Sequence, residues 1–124
     1  MKEKLLIEAI NKHVGTFMEL SLEQKKEKLL DQIKKVIPML EQRIKETKHP
    51  EGTVLETLYK RYVRAEEILL YHKEDIGKIL IDGGCRAYHD EFFEYEGNPL
   101  TDEMFKAELM FREIWLKEIP KNKM

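Results

Sequence analysis

Between Thr53 and Asp82 the chain reads TVLETLYKRYVRAEEILLYHKEDIGKILID, and no other stretch limits its possible folds so tightly. Leu55, Leu58, Tyr59, Tyr62, Ala65, Leu69, Ile76, Ile79 and Leu80 recur close to the three- and four-residue spacing of a helix with one apolar stripe. Thr53 followed by Glu56 predicts a capping box at its start. One helix over the whole span would be about 45 Å long at about 1.5 Å per residue. Such a helix cannot bury its own stripe, so other segments must lie along it.

The flanking sequence supplies those segments. Over residues 2–18, Leu6, Ile10, Val14 and Phe17 make a stripe that Leu5, Ala9 and Met18 widen. Gly15 weakens that helix by about 1 kcal/mol against alanine. Ser21 and Gln24 predict a second capping box, with Leu20 placed as a hydrophobic staple. The stripe of Leu22, Leu29, Ile33, Val36, Ile37, Leu40 and Ile44 keeps phase across Pro38, which predicts one kinked helix over 22–47. Lys48 to Gly52 is a short loop that turns the chain back, making its two flanking helices antiparallel.

Continuing the central helix to Tyr95 would take it past 40 residues and to about 60 Å, longer than any partner in the chain. A break or strong kink is therefore expected at Gly83-Gly84, then a shorter helix over 86–95. Glu96 to Pro99 forms the next turn. The last helix starts near Pro99 or Asp102, with Asn98 or Thr101 as cap, and is expected to end near Glu118, ahead of Pro120. It carries one stripe of Leu100, Met104, Ala107, Phe111, Ile114 and Trp115, and a flanking one of Phe105, Leu109 and Leu116. Residues 118–124 are expected to be an unstructured tail. The prediction is one all-α domain: an antiparallel four-helix bundle with a short additional helix after Gly84.

Composition narrows the function classes. With 42% hydrophobic and 37% charged residues, the chain has enough apolar matter for one core arranged in stripes. No stretch alternates cleanly at period two. A net charge of −2 argues against a dedicated nucleic-acid binder. No apolar run is long enough to span a membrane, and the MKEKLLIEAINKH start lacks a signal-peptide core. The single cysteine, Cys85, fits a reducing cytoplasm.

Chemistry concentrates in residues 82–103. Asp82, Asp90, Glu91, Glu94, Glu96, Asp102 and Glu103 stand against Arg86 alone, a local charge of −6. Residues 23–48 carry eight lysines and arginines against five acids, or +3. Tyr88, Phe92, Phe93 and Tyr95 add aromatic surface to the acidic segment. An acidic, aromatic face suits a basic protein partner. Its expected residues are Arg86, Tyr88, Glu91, Glu94 and Tyr95, joined by Phe105, Leu109 and Leu116 of the last helix, whose extra stripe points to a homodimer. The plainer alternative is that Tyr88, Phe92 and Tyr95, which share a helix face, are core.

The enzymatic alternative rests on few residues. Glu46 and His49 alone have the Glu-x-x-His spacing of carboxylate di-metal bundles. His72, on the inward stripe, and His89, beside Asp90 and Glu91, are weak candidate metal ligands. Cys85 follows two glycines, where a helix N-terminus and Arg86 would favour thiolate, with His89 one turn on as a base, but the plainer reading is a buried structural cysteine. Lys60, Arg61 and Arg64 interleave with Tyr59 and Tyr62, but Glu66 and Glu67 follow, so the stretch reads as an exposed ion-pair face. The expectation is a non-enzymatic cytoplasmic protein of interaction or regulatory type, in its narrower form an immunity- or antagonist-like protein. No cofactor, metal, nucleic acid or membrane is expected. The alternative is a metal- or thiol-dependent enzyme using His72, His89, Cys85 and nearby acids.

Overall fold

The computed structural model of the chain describes Phe17 and residues 19–47, 53–72, 76–92 and 98–122, with side chains in the last helix as far as Leu116. Among the described residues the chain is all-α and contains no strand. Its elements are α1 (Leu22–Glu46), α2 (Val54–Tyr71), a 3-10 turn at Ile76–Lys78, α3 (Gly84–Phe92) and α4 (Pro99–Asn122). Of the expected helix over 2–18, Phe17 alone is described; the rest of it, and the 48–52 loop, lie outside the described residues.

α1 begins as its sequence dictates. The Gln24 amide donates to Ser21 Oγ at 3.2 Å, and the Ser21 amide donates to Gln24 Oε1 at 3.0 Å. The helix runs unbroken through Pro38. Pro38 and Lys34, whose carbonyl the proline ring leaves unbonded, are both exposed, on the side of the helix away from the core. Rising positions on α1 meet falling positions on α4: Lys25 pairs with Glu113, while Gln32 and Lys35 meet Glu103. These helices are therefore antiparallel. α2 packs along α1, and α3 touches both α2 and α4. The core is formed by Leu29, Ile33, Val36 and Leu40 of α1, by Leu55, Leu58, Tyr62, Ala65, Ile68 and Leu69 of α2, and by Leu100, Met104, Ala107, Met110, Phe111 and Ile114 of α4. Each such aliphatic side chain contributes about 1.5–3 kcal/mol by leaving water.

The central rod is shorter than its pattern. α2 stops at Tyr71, and His72 leaves helical geometry at φ −132° and ψ 59°. Ile79 is buried, Leu80 exposed and Ile81 buried, so these positions alternate at period two. That non-helical step carries two isoleucines into the core where a helix would carry one. The preceding turn lies close against α4: a Cβ at Gly77 would come within 2.9 Å of the Trp115 ring. Tertiary burial overrides the helical phase here.

Two helix ends also differ from expectation. Thr53 makes no side-chain cap; the first α2 amide, Val54 N–H, donates instead to Glu91 Oε2 of α3 at 2.6 Å. Glu56, expected to reach back to the cap, pairs forward with Lys60 at 3.0 Å. α4 is capped by Asn98, whose Oδ1 accepts from Leu100 N at 2.9 Å. It continues through Pro120 to Asn122, beyond the expected stop at Glu118. A proline removes one bond to the preceding turn without forcing termination.

Candidate functional site

The first turn of a helix leaves amide donors without intrahelical partners. α3 follows the Asp82–Gly83 turn, where Gly83 takes φ +85°, a conformation that favours glycine. Its opening amides are met by a carboxylate from another helix. Glu108 of α4 accepts from Gly83 N at 2.7 Å and from Cys85 N at 3.0 Å. Glu108 is 2% exposed. Burial pushes its carboxyl up, the two amide donors pull it down, Asp82 raises it and Arg112 lowers it, leaving it at about 7. Arg112 bonds Asp82 at 2.8 Å and lies 3.9 Å from Glu108.

The same arrangement decides between the two readings of Cys85, in favour of the buried structural cysteine and against an incipient thiolate. The positive end of α3 is already countered by Glu108, whose charge opposes a second anion. Cys85 is buried, with Sγ 3.5 Å from the Thr101 carbonyl and 4.0 Å from His89 Nε2. Burial, then Glu108 and Asp102, push its thiol up to about 12. The expected His89 partner is therefore in place, but the thiol is not activated. Native Cys85 should react with an aromatic disulfide reagent at mildly alkaline pH roughly a thousandfold more slowly than in the unfolded chain, following its thiolate fraction. A rate equal to that of free cysteine would contradict this.

The other expected site residues scatter. Tyr88 is fully buried, its hydroxyl accepting from Arg43 Nε at 2.9 Å and from Asn98 Nδ2 at 3.4 Å, and its ring stacked on Phe92 at 4.8 Å. It belongs to the core and not to a docking face. Arg43 also covers the Phe92 ring at 5.1 Å, tying α3 to α1. Arg86 and Glu91 are exposed; Glu94 and Tyr95 lie outside the described residues. Phe105 is half-buried against the core, Leu109 is half-buried, and Leu116 is 65% exposed.

His72, placed inward by its stripe, is instead exposed beyond the end of α2. His89 sits near the other end of α2, where Glu91 meets Val54. The 18 residues of α2 separate them, a rise of about 27 Å. His72, Arg86 and His89 therefore do not converge. Among the described residues no three His, Cys, Asp or Glu side chains group as metal ligands.

Much of the charge asymmetry closes inside the chain. Glu103 meets Gln32 at 2.6 Å and both Lys35 and Lys106 at 3.2 Å. Burial works against its charge, but these hydrogen bonds and the Lys106 charge prevail and hold the carboxyl below its ordinary value. Lys25, counted in the basic stretch, is buried, paired with Glu113 at 3.2 Å and 5.9 Å from the centre of the Phe17 ring. Sequence reasoning passed over Lys25 and Glu108. Both stand at stripe positions, Lys25 four before Leu29 and Glu108 four after Met104, and that is the signal that could have found them.

Among the described residues two grooves stay open: one of about 340 Å³ where α1 meets the start of α4, and one of about 520 Å³ between the start of α2 and the end of α3, lined by Thr53, Val54, Thr57, Ala87, Asp90 and Glu91. The second offers hydroxyls and carboxylates. Among the described residues no helix is long and apolar enough to cross a membrane. The family model described as "YeeD uncharacterised protein" matches residues 23–118. No curated protein and no solved structure matches the chain.

Proposed function

Because the chain belongs to the YeeD family of uncharacterised proteins, its role must be argued from its own surface, and we propose that it is a non-enzymatic, cytoplasmic protein of regulatory type that receives a basic segment of a partner protein in the groove between α2 and α3. The groove carries this reading: Asp90 and Glu91 line it together with the Thr53 and Thr57 positions. Carboxylates at the rim of a groove steer and select cationic partners more than they add raw affinity. The groups with reactive chemistry point the same way, since Glu108 is engaged as a helix cap and burial suppresses the Cys85 thiol. In its narrower form the protein is an antagonist, or immunity-type protein, that sequesters a basic toxin or regulator.

A lysine-rich model peptide, followed by fluorescence anisotropy at low salt, tests the proposal. Binding should weaken as salt rises. Asp90→Lys should weaken it about tenfold, or about 1.4 kcal/mol, while leaving Glu91 at its cap on α2. Absence of binding at low salt, or affinity unchanged by Asp90→Lys, would remove the groove as the docking site.

A further inference from the structure

We propose that a second copy of this chain sits on the end of the bundle that carries Leu22, Leu70, Tyr71, Leu80 and Leu116. These are the large apolar side chains left exposed among the described residues, at 37%, 39%, 75%, 61% and 65%. They belong to three helices and a connecting strap, yet the antiparallel register gathers them at one end.

The register can be followed residue by residue. Lys25 of α1 pairs with Glu113 of α4. Leu22 stands three residues before Lys25 and Leu116 three after Glu113, so both lie one turn beyond that ion pair, facing each other's helix. Arg112 bonds Asp82, and Leu116 is one turn beyond Arg112. Leu80 stands in the strap between Gly77, which lies against the Trp115 ring, and Asp82, which bonds Arg112. Both anchors lie on the same stretch of α4, so the strap holds Leu80 at the end of the bundle that carries Leu116. The contact of Gly77 with Trp115 ties the strap to the same turn of α4. Leu70 and Tyr71 end α2 immediately before the strap.

Charge and area select the occupant. Two ion pairs within the chain border this end, Lys25 with Glu113 and Arg112 with Asp82. Among the described residues they set both signs of charge at its border, an arrangement that does not single out a strongly charged partner. A net charge of −2 gives two copies little long-range repulsion. The five side chains expose roughly 500 Å², enough for the apolar centre of a face of about 800 Å² per partner, the usual size of a stable interface. A two-fold axis would set the same patch against itself, matching apolar to apolar. The proposal is independent of the α2–α3 groove, which lies at the opposite end of α2.

Light scattering with size-exclusion chromatography, run across a concentration series, is the test. The native chain should be a dimer at tens of micromolar. Leu80→Glu combined with Leu116→Glu should raise the dimer dissociation constant about a hundredfold or more with the helical circular dichroism unchanged, since both side chains are exposed. Should that pair lose helicity, Leu116→Lys alone provides the same readout. A strict monomer overturns the proposal, and so does a dimer indifferent to these substitutions. Peptide binding in the groove is measured separately and does not depend on either outcome.

Discussion

Lowering the pH from about 8 to about 5 should stabilise the native protein, and Glu108→Gln should remove most of that gain. Burial, opposed only in part by two amide donors and Arg112, raises the folded carboxyl from its ordinary 4.5 to about 7. A group whose folded value lies above its unfolded one binds more protons in the native state across that window. Its contribution is fully present below about 4.5 and is lost as the pH rises through about 7. The shift corresponds to about 3 kcal/mol at most, at about 1.36 kcal/mol per unit. The groups that face Glu108 are Asp82, Arg112, Cys85 and Tyr62. The Tyr62 hydroxyl is itself raised well above its ordinary value, by burial first and then by Glu108 and Cys85, so it stays neutral across this range. Glu103 acts oppositely and lower on the scale. Its carboxyl is held down, so its contribution exists above its unfolded value and disappears as the pH falls through its depressed folded value. Stability should therefore peak near pH 5. Thermal melts of the native chain and of Glu108→Gln across this range measure it. A native chain with a flat profile, or a variant with an unchanged slope, would show that Glu108 titrates like a surface carboxylate.

Leu58→Ala should cost about 3 kcal/mol, and Gly84→Ala should reverse sign when placed on that background. Leu58 is 1% exposed and lies in the central stripe, so truncating it leaves a cavity, for which losses of about 2–5 kcal/mol are usual. A Cβ at Gly84 would come within 2.7 Å of Leu58 Cδ2. In the native chain, Gly84→Ala must push the leucine aside and should destabilise by about 1 kcal/mol. With Leu58 truncated, the clash partner is gone and the methyl enters the cavity; alanine is also the better helix former. A double-mutant cycle by chemical denaturation should give a coupling of at least about 1 kcal/mol. Strict additivity would mean that α2 and α3 do not pack at this point.

These expectations follow from features that differ in how openly the sequence declares them. α1 could be read almost whole: its cap, stripe and continuity through Pro38 all rest on local spacing. The end of α2 could not. Ile76, Ile79 and Leu80 keep helical phase, while the burial of Ile79 and Ile81 shows that this stretch follows period two. Two or three residues of alternation are invisible inside a longer helical pattern. The glycine pair marks a break in the sequence without saying what each glycine does: Gly83 takes the positive φ, and Gly84 lies against Leu58. Long-range caps were the least legible. Thr53 and Glu56 form a good local signal, yet Glu91 occupies the α2 amide from 37 residues away. For the candidate site, the sequence placed the acids correctly in a segment but could not show that Glu103 and Asp82 would be matched by cations of this same chain.

The central claim is that Glu108, a buried carboxyl raised to about 7, holds α3 in place instead of reacting with a substrate. Amide hydrogen exchange at Gly83 and Cys85 tests it most directly. Both amides should be protected in the native chain, and both should lose that protection in Glu108→Ala while the interior amides of α4 keep theirs. Exchange at these two positions as fast as in an unstructured peptide, already in the native chain, would contradict the account.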